Sequence, residues 1–425
     1  MTNTDHVLFV AYGGGHIAKA APVVKVLQER GISCTVLALT VGYKKALQLD
    51  LTPCGYHDFL HLVDAATVLA RGASLLDGNR HPEVDDLESR CYLGINYQEW
   101  VDAYGEEEAA RLYAERGRRG FLPVKFFGKI LDYLQPDVVV STSSPRSEQA
   151  AIEAAVQRGI PSLTMMDLFA LSYDPFLRLT VHADRITVMS DYVKKNLVDA
   201  GIDAQRVVVT GCPAYDPLFD PLYRAQAREF LHKQGWQGKK VVLWAGYLEE
   251  DGPGVLPEYL GTGFGLEVER RLRAWVREDP SAALIVRYHP NQYHEFPDLG
   301  PQERVYLSAS ARESAFPLLH AADTVIVQTS TIGLEGALIG KCVLNLQYAP
   351  SVVNLGFDYS ELGLGEAVTS MEQLVPMVQS PRSRLTEKKI LPPTGLAAPR
   401  VAEQIELLLK TRYELNSYQS RFNGN

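Results

Sequence analysis

Apolar positions in this chain fall into short β-branched runs that alternate with longer stretches of helical period. Residues 7–11 (VLFVA) form the first run. Residues 17–30 then repeat apolar side chains every three or four positions and stop at Gly31, and 34–39 (CTVLAL) form the next run. A continuous apolar run bounded by turn residues fits a strand buried on both faces of a parallel sheet, with the helical stretches as crossovers. The rhythm resumes at 137–141 (DVVVS), followed by a helix over 147–158 and strands at 160–166, 185–189 and 206–210. It starts again at 240–245 (KVVLWA), with a helix over 266–277, strands at 283–287 and 305–307, and a helix over 314–321. Strands at 324–327 and 342–346 follow, and a last amphipathic helix over 398–413 is expected to pack back across the first domain. Between about 52 and 120 the alternation lapses into helix-like segments, and the acidic run at 106–108 reads as a solvated helix face. The pattern predicts an α/β protein of two Rossmann-like parallel-sheet domains. The first covers 1–216 with a helical insertion at about 52–120. A linker at 217–238, built around Pro217, Pro221 and a polar helix, leads to the second at 239–397, and a helix and tail occupy 398–425.

The most informative stretch is 323–341, DTVIVQTSTIGLEGALIGK. A buried strand runs into the turn Gln328-Thr329-Ser330-Thr331, and a short helix follows that Gly340 ends as a C-cap. In an open parallel sheet such a turn lies at the carboxyl ends of the strands, where ligands bind. Its free N–H groups and the positive end of the helix dipole favour an anion. Thr329, Ser330 and Thr331 add hydroxyl donors to a phosphate, and Glu335, one turn into the helix, can accept from a ribose diol. The competing reading is a Ser- or Thr-capped helix with Glu335 as dipole partner, a device worth about 1 kcal/mol. Glu335 follows Thr331 by four positions, however, and a capping box needs three. His289 ends the strand at 283–287 on the same sheet edge, because Pro290 stops that strand.

The first domain opens on a comparable turn, Gly13-Gly14-Gly15-His16. The spacing Gly13-x-Gly15-x-x-Ala18 is a loose dinucleotide fingerprint, but the second strand runs out into Thr40-Val41-Gly42-Tyr43 without the acid that holds an NAD ribose. Gly14 and Gly15 still let a ligand approach the backbone closely. His16 stands at a helix N-terminus, where the dipole disfavours imidazolium and predicts a neutral ring suited to a general base. The alternative is a histidine that merely caps the helix. A second hydroxyl-rich turn, Thr142-Ser143-Ser144-Pro145-Arg146, offers Arg146 to an anionic substrate or as a partner of Glu148 or Asp167.

Composition narrows the field. At 425 residues the chain has room for two domains, and its 46% hydrophobic and 22% charged residues are ordinary for a globular enzyme. The net charge of −9 argues against a nucleic-acid partner. Five scattered cysteines make a complete disulfide framework impossible and suggest a reducing compartment. With neither a basic, apolar leader nor an apolar run approaching 18 residues, a cytoplasmic location is expected, and peripheral membrane contact stays open. No two aspartates stand two apart, so no D-x-D metal site is expected, and the residues around Lys341 do not form a Walker loop.

Several of these segments together resemble GT-B-fold glycosyltransferases and the related UDP-N-acetylglucosamine 2-epimerases. Gly14-Gly15-His16 resembles the turn of the N-acetylglucosaminyltransferase that makes lipid II. Residues 18–24 (AKAAPVV), 207–213 (VVVTGCP) and 288–291 (YHPN) resemble epimerase segments, and 323–343 resembles the donor-binding segment of both. The epimerases' G-T-R-P-E turn and H-R-R-E-N element are absent, which weighs against epimerisation, while GGGH is also similar to the turn of hydrolases that release amino sugars from UDP. Glu250-Asp251-Gly252, His289-Pro290 and Thr329-Ser330 are similar to three motifs of bacterial sialyltransferases. The resemblance implies two domains facing a cleft, with a nucleotide-sugar donor, either a UDP-N-acetylhexosamine or a CMP-linked acid sugar, held by the second. His289, Thr329, Ser330 and Thr331 would hold the leaving phosphate and Glu335 the ribose. His16, or else Asp251, would deprotonate a carbohydrate or lipid-linked acceptor in polysaccharide or glycoconjugate synthesis, with no metal or other cofactor. Epimerisation or hydrolysis of a UDP-sugar is the alternative.

Overall fold

The computed structural model describes residues 5–167, 169–172, 174–252, 255–290, 292–310, 312–355, 359–380 and 395–422. In chain order, β1 (His6–Tyr12), α1 (Gly14–Glu29), β2 (Ser33–Leu39), α2 (Val41–Gln48) and β3 (Pro53–Cys54) lead into a helical stretch. That stretch contains α3 (Ala65–Ser74), α4 (Asp86–Tyr104), α5 (Glu106–Arg116) and α6 (Val124–Leu134). Next come β4 (Val138–Thr142), α7 (Ser147–Arg158), β5 (Ser162–Met165), β6 (Arg185–Val188), α8 (Asp191–Asp199) and β7 (Val207–Val209). The second set begins with α9 (Pro221–Lys233), β8 (Lys240–Gly246), α10 (Gly263–Glu278), β9 (Ala282–Tyr288), β10 (Val305–Leu307) and α11 (Ala315–Ala321). It continues with β11 (Thr324–Val327), α12 (Ile332–Leu338), β12 (Cys342–Leu346), α13 (Pro350–Leu355), β13 (Glu366–Val368) and α14 (Leu374–Gln379), and α15 (Ala397–Phe422) closes the chain.

Two parallel sheets result, as the alternation predicts. One has the strand order β3-β2-β1-β4-β5-β6-β7 and the other β10-β9-β8-β11-β12-β13. In each, the order reverses direction beside the sheet's first strand in the sequence, between β1 and β4 and between β8 and β11. Such a reversal opens a crevice beyond the carboxyl ends of the strands.

The uninterrupted apolar runs follow from burial on both faces. Leu8 and Val10 pack beneath Tyr92, Phe126, Phe127 and Ile130 on one side of the first sheet. Val7, Phe9 and Ala11 pack against Val23, Val24, Leu27, Val401, Ile405 and Leu408 on the other. Alternate residues of one strand thus feed two layers, and each fully buried side chain of this kind contributes about 1.5–3 kcal/mol. Helix α15 belongs to the first unit, which comprises the chain up to Asp216 and this C-terminal segment. Arg400 Nε donates to the Thr210 carbonyl (2.7 Å), and Asp216 accepts from the N–H groups of Ala397 and Ala398 (both 2.7 Å).

The stretch at 217–238, expected as a linker, is instead part of the second unit, which starts at Pro217. Tyr223 and Phe230, two turns apart on α9, share a face. Their rings meet Phe316 and Tyr306 at centroid distances of 5.2 and 5.0 Å. The helix looked polar in sequence because its other faces are exposed. The insertion at 52–120 is largely helical, but it also contributes β3, an edge strand of two residues that is too short to register as a pattern. Among the described residues no helix is long and apolar enough to cross a membrane.

Helix α12 ends as expected. Gly340 adopts φ +76°, and the N–H groups of Gly340 and Lys341 donate to the carbonyls of Ala337 (3.0 Å) and Gly336 (2.9 Å). Its glycines let it press against β11. A Cβ on Gly333 would stand 2.9 Å from both Val327 Cγ2 and Tyr359 Cε2. Gly333→Ala is therefore expected to lower stability by about 1–2 kcal/mol in urea denaturation, because overpacking of about 1–3 kcal/mol outweighs a helix-propensity gain of about 1 kcal/mol.

Candidate functional site

In the first unit the crevice between β1 and β4 gathers four titratable side chains. Gly13, at φ +90°, turns the chain out of β1, and its N–H donates to the Leu39 carbonyl (3.1 Å). Helix α1 starts at Gly14, and Gly15 is exposed with open space where a Cβ would stand. His16 follows on the first turn. Its Nδ1 lies 2.8 Å from Glu148 Oε1 and 2.6 Å from Thr142 Oγ1. Glu148, in the first turn of α7, is fully buried. It also accepts from the N–H groups of Tyr12 (2.7 Å) and Ser144 (3.0 Å) and from the Thr142 hydroxyl. Beyond the ring, Nε2 faces Asp167 Oδ2 at 3.7 Å. Asp167 in turn accepts from Lys19 Nζ at 2.6 Å, and Lys19 is itself buried.

This setting corrects the neutral imidazole expected from the helix dipole. Burial lowers the affinity of His16 for a proton, but the facing Asp167 carboxylate and the hydrogen-bonded Glu148 carboxylate outweigh it and raise the pKa to about 9. Burial also opposes ionisation of Asp167, yet the Lys19 ammonium and His16 hold its carboxyl well below the usual range. His16 is thus held as an imidazolium near neutral pH, hydrogen-bonded through Nδ1 to Glu148 and facing the Asp167 carboxylate with Nε2. Its contacts stabilise the fold fully below the unfolded histidine value of about 6.5, and that contribution is lost as pH rises through about 9. NMR titration of the His16 ring should place its midpoint near 9. Asp167→Asn removes one of the carboxylates and should move that midpoint down toward 6.5.

Arg146 pairs with neither Glu148 nor Asp167. Its guanidinium lies over the ring of Tyr12, 4.1 Å from the centroid.

In the second unit the crevice between β8 and β11 opens a cavity of about 380 Å³, whose lining includes Tyr247, Arg287, His289, Thr329, Ser330 and Thr331. Four of the candidate residues therefore share one concavity at the switch point. The buried Gln328 ties the two strand ends together. It accepts from the Tyr247 N–H (3.0 Å) and donates to Glu249. The Tyr247 hydroxyl bonds Thr329 Oγ1, and Tyr359 donates to the Ser330 carbonyl (2.8 Å). Thr331 is the N-cap of α12 without a side-chain cap bond, whereas Ser330 Oγ accepts from the Ile332 N–H at 3.4 Å. Arg287 is 6% exposed and donates to Ser308 Oγ (2.6 Å) and to the carbonyls of Ser310 and Glu313. Glu335 is partly buried one turn into α12. Burial raises its carboxyl to about 7, against the attraction of Arg287.

Asp251, the second candidate base, is exposed on the loop after β8. The buried carboxylate of that loop is Glu249, which accepts from the N–H (2.7 Å) and hydroxyl (3.0 Å) of Ser351 as well as from Gln328. Among the described residues, no group of three or more His, Cys, Asp or Glu is arranged to hold a metal ion.

The sequence reading missed Glu148 and Asp167 as partners of His16, Lys19 as the partner of Asp167, and Arg287 beside the Thr329 turn. Glu148 and His16 are 132 positions apart, so no local pattern links them. Lys19 did leave a trace, as a lone cation inside the apolar run 17–24.

No family model matches the sequence. Over 209 residues the chain is 23% identical to a processive diacylglycerol beta-glucosyltransferase of Bacillus mycoides and 24% identical to that of Bacillus anthracis, a match to 49% of this chain and 44% of theirs. The chain thus spans less than half the length of the curated relatives it matches. Among solved structures, the UDP-GlcNAc 2-epimerase from Neisseria meningitidis bound to UDP-GlcNAc superposes with a TM-score of 0.57 at 16% identity, over 95% of this chain and 100% of that one. The S. aureus MnaA–UDP structure gives 0.56 at 14%, over 96% and 97% of the two chains. The UDP-N-acetylglucosamine 2-epimerase from Rickettsia bellii gives 0.55 at 14%, over 99% of both. At these identities the likeness is one of fold, and the two Rossmann-like sheets, their strand orders and this coverage give the chain the GT-B fold of nucleotide-sugar glycosyltransferases and UDP-N-acetylglucosamine 2-epimerases.

Proposed function

We propose that the protein is an enzyme that transfers a sugar from a nucleotide-activated donor to a hydroxyl acceptor. The observation that carries this reading is the His16–Glu148 pair at the switch point of the first sheet, a base held by a buried orienting carboxylate. Donor recognition falls to the second unit. There the hydroxyls of Thr329, Ser330 and Thr331, together with His289 and the buried Arg287, supply donors and charge to a leaving phosphate. Glu335 accepts from the ribose. Acceptor activation falls to the first unit, where Gly15 leaves the backbone open beside His16 and Gly14 adjoins the Lys45 side chain.

In the step itself, the acceptor oxygen forms a bond to the anomeric carbon as the bond from that carbon to the donor phosphate oxygen breaks. The acceptor proton passes to His16, and the phosphate keeps the electron pair. Preorganised donors stabilise the charge that develops there, and losing one typically costs about 10²–10³ in rate. Because His16 releases its proton only near pH 9, the base-dependent rate rises with pH up to about that value. Asp251, exposed on its loop, is the less favoured base.

The likeness to epimerases bound to UDP-GlcNAc or UDP supports a UDP-linked donor, and the relatives named as glucosyltransferases support transfer to a hydroxyl acceptor. The epimerase likeness also keeps a second reading, in which the same donor is isomerised or hydrolysed. Product analysis with UDP-GlcNAc, with and without diacylglycerol vesicles or simple glycosides, separates the two. Group transfer leaves the donor intact without acceptor and consumes it with one. Isomerised or freed sugar in the absence of acceptor would replace that reading.

A further inference from the structure

The first unit holds another concavity, which the reading above does not use. Between the ends of β1 and β2 and the helical insertion lies a cavity of about 160 Å³, lined among others by Tyr12, Thr40, Asn79, Tyr92, Leu93 and Arg118. A cavity of about 150 Å³ takes one six-membered ring such as benzene. Tyr12 and Tyr92 form a tilted aromatic wall, with ring centroids 6.1 Å apart.

Three features mark this cavity as a built site. Tyr92 is only 5% exposed, and its hydroxyl has Tyr12 nearby but no partner at hydrogen-bond geometry among the described residues. Leaving such a group unpaired costs about 1–3 kcal/mol, so a ligand oxygen is the expected partner. The Arg118 guanidinium lines the same cavity. Arg118 has no carboxylate partner among the described residues, whereas neighbouring Arg111 and Arg116 pair with Glu108 and Glu115. The one carboxylate in the wall, Glu88, is already occupied, since it accepts from the N–H groups of Tyr56 (2.9 Å) and His57 (3.1 Å) and from His57 Nδ1 (2.7 Å). The cavity therefore combines the volume of one ring with one cation that has no carboxylate partner and an O–H donor without a hydrogen-bond partner among the described residues.

We propose that this cavity receives the acceptor as a single hexose-sized ring carrying one acidic group, with its charge against Arg118 and an oxygen accepting from the Tyr92 hydroxyl. Tyr12 connects this subsite to the base, since its ring walls the cavity and its N–H donates to the Glu148 carboxylate that holds His16. The role as acceptor subsite rests on the transfer reading, but the binding of an acidic ring does not.

The acid can be a carboxylate or a phosphate, and calorimetry on the full chain with glucuronic acid, glucose 6-phosphate and glucose distinguishes them. The proposal expects at least one acid to bind about tenfold or more tightly than glucose. The tighter acid names the group. Arg118→Ala should abolish the preference and Arg118→Glu reverse it, and Tyr92→Phe should weaken the acid about fivefold. Arg118 is exposed, so the melting temperature of each unliganded variant is the folding control. Equal binding of glucose and the acids, binding of none, or a preference that survives Arg118→Glu in a folded variant would overturn the subsite. Failure of any nucleotide to bind would overturn the donor reading alone and leave the acid-binding result standing.

Discussion

His16→Ala is expected to lower kcat by about 10²–10⁴-fold while leaving nucleotide affinity within about twofold. The split follows from where the residue sits. His16 lies on the first turn of α1 in the first unit, and the hydroxyl-lined cavity assigned to the nucleotide lies in the second. A positioned base acts on the acceptor proton in the transition state, so its loss appears in turnover and not in donor binding. His16 is partly exposed and its loss opens no hole in the apolar core, so the variant should remain folded. It does leave Asp167 and Glu148 without one partner each. Steady-state kinetics beside nucleotide titration checks both halves. Turnover unchanged in a folded variant would remove His16 as the base.

Glu148→Gln is expected to reduce kcat by about 10²–10⁴-fold and also to destabilise the fold by about 2–4 kcal/mol. Its carboxylate accepts from two backbone N–H groups, one hydroxyl and the His16 ring inside a fully buried pocket. An amide keeps the shape, but one of its ends is a donor, which turns at least one of those contacts into donor against donor. A purely structural role would show only the loss of stability. The positioning role adds a kinetic signature. With the Glu148 charge gone, the pKa of His16 falls from about 9, so the pH-dependent limb of kcat/KM shifts to lower pH. A destabilised variant with an unmoved limb would reduce Glu148 to scaffolding.

Much of the fold was legible because the sheets are covered on both faces. Val7 to Ala11 must all be apolar when odd and even positions meet different layers, and that produces the unbroken runs that mark parallel strands. β3 and β13, at two and three residues, are too short to leave such a run. α9 read as a polar linker because only its aromatic face is covered. At the sites, residues close behind a strand were legible: His16 on the first turn of the helix after β1, His289 after β9 and Thr329 after β11. Their partners were not. Glu148 comes from another crossover helix and Asp167 from beyond another strand, and they meet His16 only through the sheet order. The protonation state of His16 was misjudged for the same reason, since the helix dipole was visible in sequence and the two carboxylates were not.

The central claim is that the second unit binds an activated sugar nucleotide where β8 and β11 part. Thermal stabilisation of the full chain by UDP, CMP, CDP, GDP and NAD, each tested alone, addresses it most directly. A nucleotide at about 100 times its Kd should stabilise the protein by about 2.7 kcal/mol, and the shift should vanish in the double variant Thr329→Ala, Ser330→Ala. A response to UDP identifies the donor branch suggested by the structural relatives, and a response to CMP points to an acid-sugar donor. Stabilisation by none of the five, or by NAD alone, would contradict the donor site at Thr329–Thr331 and the transfer reaction built on it.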